Sequence, residues 1–205
     1  MAQQREWVDG FLLVGNQVAL DFLNTRPVLE DGPREFLPNV KALERWLIAS
    51  GVLTSHKGKT RVRRWRDTCQ ADVFLQKVIA FRERLRAAVT RREAGLSVTD
   101  AFVSEVNSLL EEHPSRIALH RKAEKLERVV VFEPREPDDV WAPIAAATAE
   151  LLSDIPPSRV RKCESCVVYF YDISKKGSRR WCSMNICGNR LKVAAYQRRN
   201  RAAGP

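Results

Sequence analysis

The 205-residue sequence lacks the features of several large protein classes. Its longest apolar candidate, residues 144–152, is rich in alanine, is interrupted by Glu150 and is far shorter than the ~20 residues of a membrane helix. The first ten residues contain no basic segment followed by an apolar stretch, so we expect no signal peptide and a cytoplasmic location. No P-loop, GxSxG or HExxH motif occurs, and the three histidines lie far apart. The sequence therefore predicts neither a membrane protein nor an enzyme.

Acidic residues are scarce in only one part of the chain. Residues 1–157 hold 23 basic and 23 acidic side chains, whereas residues 158–205 hold 12 basic side chains and two acidic ones. The whole formal charge of +10 therefore lies in the last 48 residues. Because Ile155-Pro156-Pro157 ends the preceding helical pattern, we place the boundary between two domains, 1–157 and 158–205, at Pro157.

The spacing of apolar residues predicts an α+β fold for the first domain, mostly helical with a few strands. The expected helices cover about 39–50, 68–93, 100–112 and 140–153. The expected strands cover 11–25, with a turn at Gly15-Asn16, and then 116–120 and 127–133. The basic run Lys57–Arg66 has two interpretations: a second phosphate-binding surface, or a surface loop whose charges meet acids of the same domain. The zero net charge of the domain favours the loop.

Four of the five cysteines lie in residues 158–205, which we call the tail. Their spacing is Cys163-x2-Cys166, then 15 residues, then Cys182-x4-Cys187. Clustered cysteines in a reducing compartment are more often metal ligands than disulfides, and zinc takes four thiolates tetrahedrally in structural sites. The segment between the pairs predicts a hairpin with its turn at residues 175–177, and a helix is expected from about Gly188 to Arg201. A knuckle, a hairpin and a helix together are typical of a treble-clef zinc finger with one structural zinc ion.

Two other interpretations of these cysteines stay open. Paired disulfides would suit an oxidising compartment, and a zinc site could also be redox-switched. The fifth cysteine, Cys69, stands alone near a predicted helix start with no histidine close to it in sequence. It is more typical of a small packed residue than of a nucleophile.

The basic residues of the tail predict a DNA-binding surface, because dense positive charge neutralises phosphates and releases counterions. Side chains such as Asn189, Arg190 and Gln197 suit base edges, whereas the terminal arginines suit phosphates. The full candidate set is Lys175, Lys176, Arg179, Arg180, Asn189, Arg190, Lys192, Gln197, Arg198, Arg199 and Arg201. In the alternative, Asn189 caps the last helix, Arg190 fixes the fold and the tail is simply solvated.

Polar and aromatic residues inside apolar segments have two readings each. Tyr169 and Tyr171 would share one face of the predicted hairpin, where they could stack on bases or, as is more common, pack against the helix. Asp21, Asn24 and Thr25 could line a small-molecule pocket in the first domain. Turn and cap hydrogen bonds are the more common use of such residues.

The tetrapeptide CGNR at 187–190, with the residues around it, resembles the CGNR zinc-finger family. Upstream, ALDFLNT at 19–25, LERWLIASGVL at 43–53 and the run that begins with ERVVVFEP at 127 are similar to the ABATE domain, the usual partner of that finger. The resemblance implies a stress-linked transcription regulator, with a DNA-binding finger and an ABATE domain that senses a ligand or partner. It also implies that the zinc ligands are Cys163, Cys166, Cys182 and Cys187.

The leading hypothesis is a DNA-binding regulator with duplex DNA at the finger and a small-molecule effector or protein partner at the first domain. A homodimer would let such a protein read two half-sites, although no heptad repeat or obvious interface shows in the sequence. One alternative is an RNA-binding or ribosome-associated zinc module. The other is a small-molecule-binding domain or enzyme that carries a protein-docking finger.

Overall fold

The computed structural model describes residues 6–29, 32–189 and 193. Six α-helices occur in these ranges: α1 (Val18–Leu23), α2 (Val40–Ala49), α3 (His56–Trp65), α4 (Cys69–Glu93), α5 (Asp100–Glu112) and α6 (Trp141–Ser153). The same part of the chain holds eight strands, which form four antiparallel hairpins: β1 (Trp7–Val8) with β2 (Phe11–Leu12), β3 (Val28–Leu29) with β4 (Gly32–Pro33), β5 (Arg116–Lys122) with β6 (Lys125–Val131), and β7 (Val160–Lys162) with β8 (Tyr169–Tyr171). The predicted α+β class, mostly helical with a few strands, is confirmed.

Side-chain caps set where most of the helices begin. The first N–H groups of a helix have no partner within it, so a preceding polar side chain that accepts one of them stabilises the start. Such caps precede α1 to α5 and are Gln17, Asn39, Ser55, Thr68 and Thr99. The four helices predicted for the first domain begin within one residue of their expected positions. Among the helices of the described ranges, none is long and apolar enough to cross a membrane.

Aromatic contacts around α4 organise the main core. Trp141 of α6 meets Phe74 and Phe81 of α4 edge to face, with ring centroids 5.4 and 5.3 Å apart. Elsewhere in this core, Phe22 of α1 lies 5.4 Å from the fully buried Trp46 of α2. Aromatic rings bury more apolar area than other side chains, so these contacts largely determine how the helices pack.

A charged side chain is also buried inside this core. Arg82 of α4 is 0% exposed. Its guanidinium donates to Thr25 Oγ1 over 2.8 Å and to the two carboxylate oxygens of Glu35 over 2.9 and 2.5 Å. A buried guanidinium is tolerated only when its N–H groups have partners. The network therefore ties α4 to the end of α1 and to the segment before α2.

The predicted strand over residues 11–25 is wrong beyond its first two residues. Only Phe11–Leu12 pairs as a strand, and the rest of the segment folds into a turn and α1. The buried residues of α1 are Ala19, Leu20, Phe22 and Leu23. Their spacing is that of one helix face and does not alternate as a strand would.

The basic run Lys57–Arg66 is a helix and not a loop. Its helix, α3, begins after the Ser55 cap and buries Val62 and Trp65 one turn apart. Four of its basic side chains nevertheless meet acids of the same domain, as the second interpretation expected. Lys57 and Arg61 pair with Glu133, and Arg63 and Arg66 pair with Glu44.

In the tail, β8 has a different partner from the one predicted. It pairs with β7, which precedes the first cysteine pair, and residues 172–183 form no strand. The reason lies in Asp172, whose carboxylate accepts hydrogen bonds from Ser174 N over 2.9 Å and from Arg179 N over 2.8 Å. These bonds close the segment into a loop, so it does not return as a strand.

Hydrogen bonds from residues 15–24, which we call the α1 region, join the tail to the helical core. Asn24 Nδ2 donates to Tyr169 O over 2.8 Å, and Asn24 Oδ1 accepts from Tyr169 N over 3.0 Å. Two residues further along β8, Tyr171 N donates to Gly15 O over 2.8 Å and Asn16 Nδ2 donates to Tyr171 O over 3.0 Å. The backbone of β8 is therefore held on one side by β7 and on the other by the α1 region.

Apolar packing crosses between the two parts of the chain in both directions. Tyr169 is buried against α4, and its hydroxyl donates to Glu93 over 3.2 Å and lies 3.3 Å from Thr90 Oγ1. Burial raises the pKa of this hydroxyl. Leu12 and Val14 of the first domain, in turn, belong to the apolar cluster around the tail cysteines. Of the two interpretations of Tyr169, packing describes this structure and stacking on bases does not.

Asn24→Ala tests the joint between β8 and the α1 region. The substitution removes two buried hydrogen bonds and leaves the N–H and C=O of Tyr169 without these partners, so the free energy of unfolding should fall by about 2–4 kcal/mol. Urea denaturation followed by circular dichroism measures the change. The control, Asn107→Ala on the exposed surface of α5, should change it by less than about 0.5 kcal/mol. Equal effects of the two variants would contradict the joint.

Candidate metal centre and basic surface

The first cysteine pair lies on a tight turn between β7 and β8. Cys163 N donates to Val168 O over 2.9 Å, and Val167 N donates to Cys163 O over 3.0 Å. Val167 has a φ of +53°, a left-handed conformation that β-branched residues rarely adopt. The turn brings Cys163 and Cys166 to the same cluster of sulfur atoms.

A capped turn positions the second pair. Ser183 Oγ caps one π-helical turn, Met184–Gly188, by accepting two of its backbone N–H groups, and Cys187 N donates to Ser183 O over 3.1 Å. This turn returns Cys187 Sγ to 3.7 Å from Cys182 Sγ. The hydroxyl of Ser183 also donates to the carboxylate of Glu6, which binds the second pair to the N-terminal segment.

The four sulfur atoms have the geometry of a zinc site. The Sγ atoms of Cys163, Cys166, Cys182 and Cys187 all lie within 4.8 Å of one another. Four sulfurs placed tetrahedrally at about 2.3 Å from zinc would be about 3.8 Å apart. The Cys166–Cys182 and Cys182–Cys187 sulfur distances are 3.5 and 3.7 Å. They exceed the ~2.05 Å of a disulfide bond, and all four cysteines are free, so paired disulfides do not describe this structure.

The thiols of the cluster shift one another's pKa values. Hydrogen bonds with Cys166 and Cys182 hold the pKa of Cys163 far below its usual value. The bond with Cys163 raises the pKa of Cys166 to about 12, and it raises the pKa of Cys182 as well. One thiolate is therefore stabilised by protonated neighbours, whereas four thiolates together require positive charge. Four thiolates leave no open coordination position, so the cluster fits one structural zinc ion.

Some of the predicted DNA-binding residues lie on the surface of this module. Lys175 and Lys176 are exposed on the loop after β8, and Asn189 is exposed just after the π-helical turn. The predicted last helix, which takes in Val193, extends beyond what the structure describes. The candidates outside the described residues are Arg190, Lys192, Gln197, Arg198, Arg199 and Arg201.

Arg179 is half-buried and braces the metal site. Its guanidinium donates to Cys182 O over 2.5 Å and lies 5.0 Å from the centre of the Phe170 ring. Its backbone N–H binds Asp172. These contacts account for Arg179 as a structural residue of the loop that precedes the second cysteine pair.

Arg180 is exposed and forms a surface ion pair. Its Nε lies 2.8 Å from both carboxylate oxygens of Glu164, and its guanidinium lies 5.5 Å from the centre of the Trp181 ring. Both partners of this pair are exposed, so the carboxylate does not shield the guanidinium from solvent. Arg180 therefore keeps its guanidinium at the surface of the module, beside an indole ring.

Sequence reasoning missed the structural roles of the two acidic residues of the tail. Asp172 is fully buried and closes the loop that carries the lysines. Burial by itself raises the pKa of Asp172, but hydrogen bonds from Ser174 and Arg179 outweigh it and hold the pKa below its usual value. Glu164 orients Arg180. A signal was present in the sequence, since only two acids stand among 12 basic residues there.

The three pocket candidates of the first domain bind other parts of the chain. Asn24 holds the backbone of β8, and Thr25 Oγ1 donates to Phe22 O over 2.6 Å while it accepts from the buried Arg82. Asp21 Oδ1 accepts from Gly15 N over 2.7 Å. Asp21 and Thr25 thus make local turn and cap hydrogen bonds, which are the more common use of such residues, whereas Asn24 binds a strand 145 positions away.

A cavity of about 250 Å³ lies elsewhere, at the base of the β5–β6 hairpin. Sequence reasoning missed it, because no motif marks its residues and they come from four separate segments. Its lining includes His113, Arg116, Phe132, Glu133, Asp139 and Pro143. It combines apolar walls with several charged or polar side chains.

Cys182→Ser should remove the metal and loosen both parts of the chain. Metal analysis should give one zinc per chain for the wild type and for the control Cys69→Ser, but less than about half for Cys182→Ser. Because Leu12 and Val14 pack in the cysteine cluster, hydrogen exchange should lose protection there as well as in the tail. A loss confined to residues beyond 157 would contradict this shared packing.

Asp21→Asn should change how stability depends on pH. Burial raises the pKa of Asp21 to about 7, against the opposing hydrogen bonds from the backbone of Gly15 and Val14. The folded protein thus keeps a proton that the unfolded chain releases, so this contribution to stability falls as the pH rises from about 4 to about 7. The amide still accepts from Gly15 N, and the variant should exceed the wild type by about 4 kcal/mol near pH 8 and match it near pH 4.

Urea denaturation of both proteins across this pH range measures the difference. Glu111→Gln, on the exposed surface of α5, is the control and should follow the wild type throughout. Parallel curves for Asp21→Asn and the wild type would contradict the assignment.

Two family models together match nearly the whole chain. The ABATE model, described as "putative stress-induced transcription regulator", matches residues 16–155. The CGNR zinc-finger model matches residues 159–200, which contain all four clustered cysteines. Neither description names an enzymatic activity, and no curated protein matches the sequence significantly. The chain belongs to the ABATE family and carries a CGNR zinc finger after its ABATE domain.

Proposed function

We propose that the protein is a cytoplasmic transcription regulator whose zinc finger docks on duplex DNA. The observation that carries the proposal is the charge of the tail, with 12 basic and two acidic side chains in 48 residues built around one metal site. One of the two acids, Asp172, is fully buried and does not contribute an exposed negative charge. Such a surface attracts phosphates and releases counterions on binding.

The loop with Lys175 and Lys176 is the first proposed phosphate contact. Asp172 closes this loop, and Arg159 holds it from the other side by donating to Ser174 O over 2.6 Å. Glycine suits position 177, because its φ of +61° lies in the left-handed region and a Cβ there would also lie 2.8–2.9 Å from the Arg159 guanidinium. A loop fixed in this way presents its two ammonium groups with little loss of backbone entropy on binding.

Arg180 is the second proposed contact. An exposed ion pair contributes little to stability, so exchange of the Glu164 carboxylate for a DNA phosphate costs little. The Trp181 ring keeps the guanidinium in place during the exchange. We assign Arg179 to the fold and not to DNA, because its guanidinium braces Cys182 O.

The remaining contacts are proposed from the sequence. Asn189, Arg190 and Gln197 are assigned to base edges, and Lys192, Arg198, Arg199 and Arg201 to phosphates. A base-reading set of this kind needs a helix in the major groove, which is the role proposed for the segment after Gly188.

For the first domain we propose that the cavity at the base of the β5–β6 hairpin holds a small effector. Its apolar wall and convergent polar side chains have the character of a ligand site. Occupation of the cavity would act on Glu133, which already pairs with Lys57, Arg61 and Arg116. A polar ligand there would compete for these ion pairs.

Fluorescence anisotropy with a labelled duplex, at about 50 and 200 mM salt, tests DNA binding. Affinity of the zinc-loaded wild type should fall steeply with salt. The double variant Lys175→Ala/Lys176→Ala should bind about tenfold more weakly and lower the salt slope by about 2, because each lost phosphate contact removes about 0.9 from it. The control Arg64→Ala/Lys77→Ala removes two exposed charges from α3 and α4 and should leave the slope unchanged.

Two results would overturn the proposal. One is zinc-loaded protein that shows no salt-dependent binding to any duplex. The other is a clear preference for structured RNA over duplex DNA at equal salt, which would favour an RNA-binding module.

A further inference from the structure

The β5–β6 hairpin meets the helical core at the cavity of about 250 Å³. Residues 112–116, which lead into β5, and residues 130–135, at the end of β6 and after it, both line this cavity, and α6 contributes Ala142 and Pro143. Within the described ranges neither strand of the hairpin has a second strand partner. A lone two-stranded hairpin is only marginally stable in water, so a ligand that contacted both of its ends would fasten it to the core.

The size and the apolar part of the cavity suit a small ring. Apolar residues of its lining include Phe132, Pro134, Ala142 and Pro143. A volume of about 250 Å³ corresponds to roughly eight water molecules at about 30 Å³ each, which is enough for one ring with a short substituent. Ligand sites combine such apolar walls with a few polar groups that fix the orientation of the ligand.

The acid nearest to the middle of the lining, Glu133, already has two cations close to it. Its carboxylate lies 3.1 Å from Lys57 Nζ and 3.3 Å from Arg61 Nη1. The contact with Lys57 holds the pKa of Glu133 below its usual value, and the charges of Arg61 and Arg116 act in the same direction. Glu133 therefore has little attraction left for a positively charged ligand.

The other two acids of the lining, Asp139 and Glu112, offer little more. Asp139 Oδ2 accepts a hydrogen bond from Arg135 N over 2.6 Å. The side chain of Glu112 is 68% exposed, and its carboxylate lies 4.0 Å from His113 Nε2. A cationic ligand would therefore meet only carboxylates that are solvated or already bonded.

Two guanidinium groups of the lining, in contrast, lack a close carboxylate. Arg116 approaches Glu133 only to 4.0 Å. Arg135 uses its backbone N–H to bind Asp139, and its side chain has no hydrogen bond or ion pair with any other residue in the part of the chain that the structure describes. The cavity therefore has more positive charge than its own acids neutralise, which favours an anion.

We propose that the ligand of this cavity is a small carboxylic acid with an apolar ring. Its carboxylate pairs with Arg116 and Arg135, and its ring packs on Phe132 and the neighbouring prolines. A guanidinium can bind a carboxylate through two parallel hydrogen bonds, which adds specificity to the charge attraction. The inference rests on the proposed role of this cavity as an effector site, but it does not depend on DNA binding.

Three probes of nearly equal shape separate charge from size. At neutral pH benzoate is negative, benzamide is neutral and benzylamine is positive. Each is titrated into the zinc-loaded full-length chain, without DNA, and followed by the amide signals in two-dimensional NMR spectra. Benzoate should shift signals of residues 112–116 and 130–135 with a Kd on the order of 1 mM. Benzamide should bind at least about tenfold more weakly, and benzylamine should cause no shifts there.

Arg116→Gln should weaken benzoate binding about tenfold and leave the Kd of benzamide unchanged, because only the carboxylate uses the charge of the guanidinium. A general loss of structure would weaken both probes alike. Arg135→Gln, in the segment after the hairpin, should have the same selective effect without a change in either strand. The control Arg121→Gln removes an equal charge near the tip of β5 and should bind benzoate like the wild type. Circular dichroism checks that each variant is folded.

The outcomes separate the ligand class from the effector site itself. Benzamide that binds as tightly as benzoate would overturn the anionic class and leave the cavity a ligand site. Benzoate that binds both glutamine variants as tightly as the wild type would overturn the assignment of the two arginines. If none of the three probes shifts signals of the lining at up to about 20 mM, both the ligand class and the role of the cavity as an effector site are wrong.

Discussion

The rest of the structure depends on one requirement of the metal site, which is that four cysteine sulfur atoms lie within 4.8 Å of one another. A tail of 48 residues is too short to build a sufficient core of its own, so the metal site has to supply what burial cannot. Even so, the cluster around the cysteines includes Leu12 and Val14, which come from the opposite end of the chain. The metal module and the ABATE domain therefore share packing as well as a covalent link.

Because the two parts of the chain share packing, helix α1 has a central position between them. Through Asn24 and the Gly15-Asn16 turn this short helix and the residues around it hydrogen-bond to β8, while its buried face packs in the helical core. A change in the core that moves α1 would move β8, the strand that follows the first cysteine pair. The two family segments thus meet at a joint of hydrogen bonds with fixed partners, which suits transmission of a small displacement better than a flexible linker would.

Features with local causes could be predicted from the sequence, and features that depend on distant partners could not. The starts of α2, α4, α5 and α6 were predicted to within a residue because caps such as Asn39 and Thr99 and the apolar spacing act within a few residues, whereas α1 was predicted as a strand and α3 as a loop. The four cysteines were recognised because metal ligands have a characteristic spacing. The strand partner of β8 was not predicted, because it depends on the loop that the Asp172 carboxylate closes. The role of Asn24 was not predicted either, because its side chain binds Tyr169, which is 145 positions away in the sequence.

The arginines and the lysines of the tail have different roles, which the amino-acid composition cannot show. Arg159, Arg161 and Arg179 each donate to backbone carbonyl groups of the loop or of the second cysteine pair. The segment has little regular secondary structure, so its carbonyl groups need side-chain partners, and the forked guanidinium can serve two at once. Lys175 and Lys176, which end in compact ammonium groups, stay exposed on the same loop. In the part of the tail that the structure describes, three of the four arginines therefore hold the module together, whereas Lys175, Lys176 and the fourth arginine, Arg180, face outward. The described surface available to a phosphate backbone is therefore smaller than the number of basic residues in this part of the tail suggests.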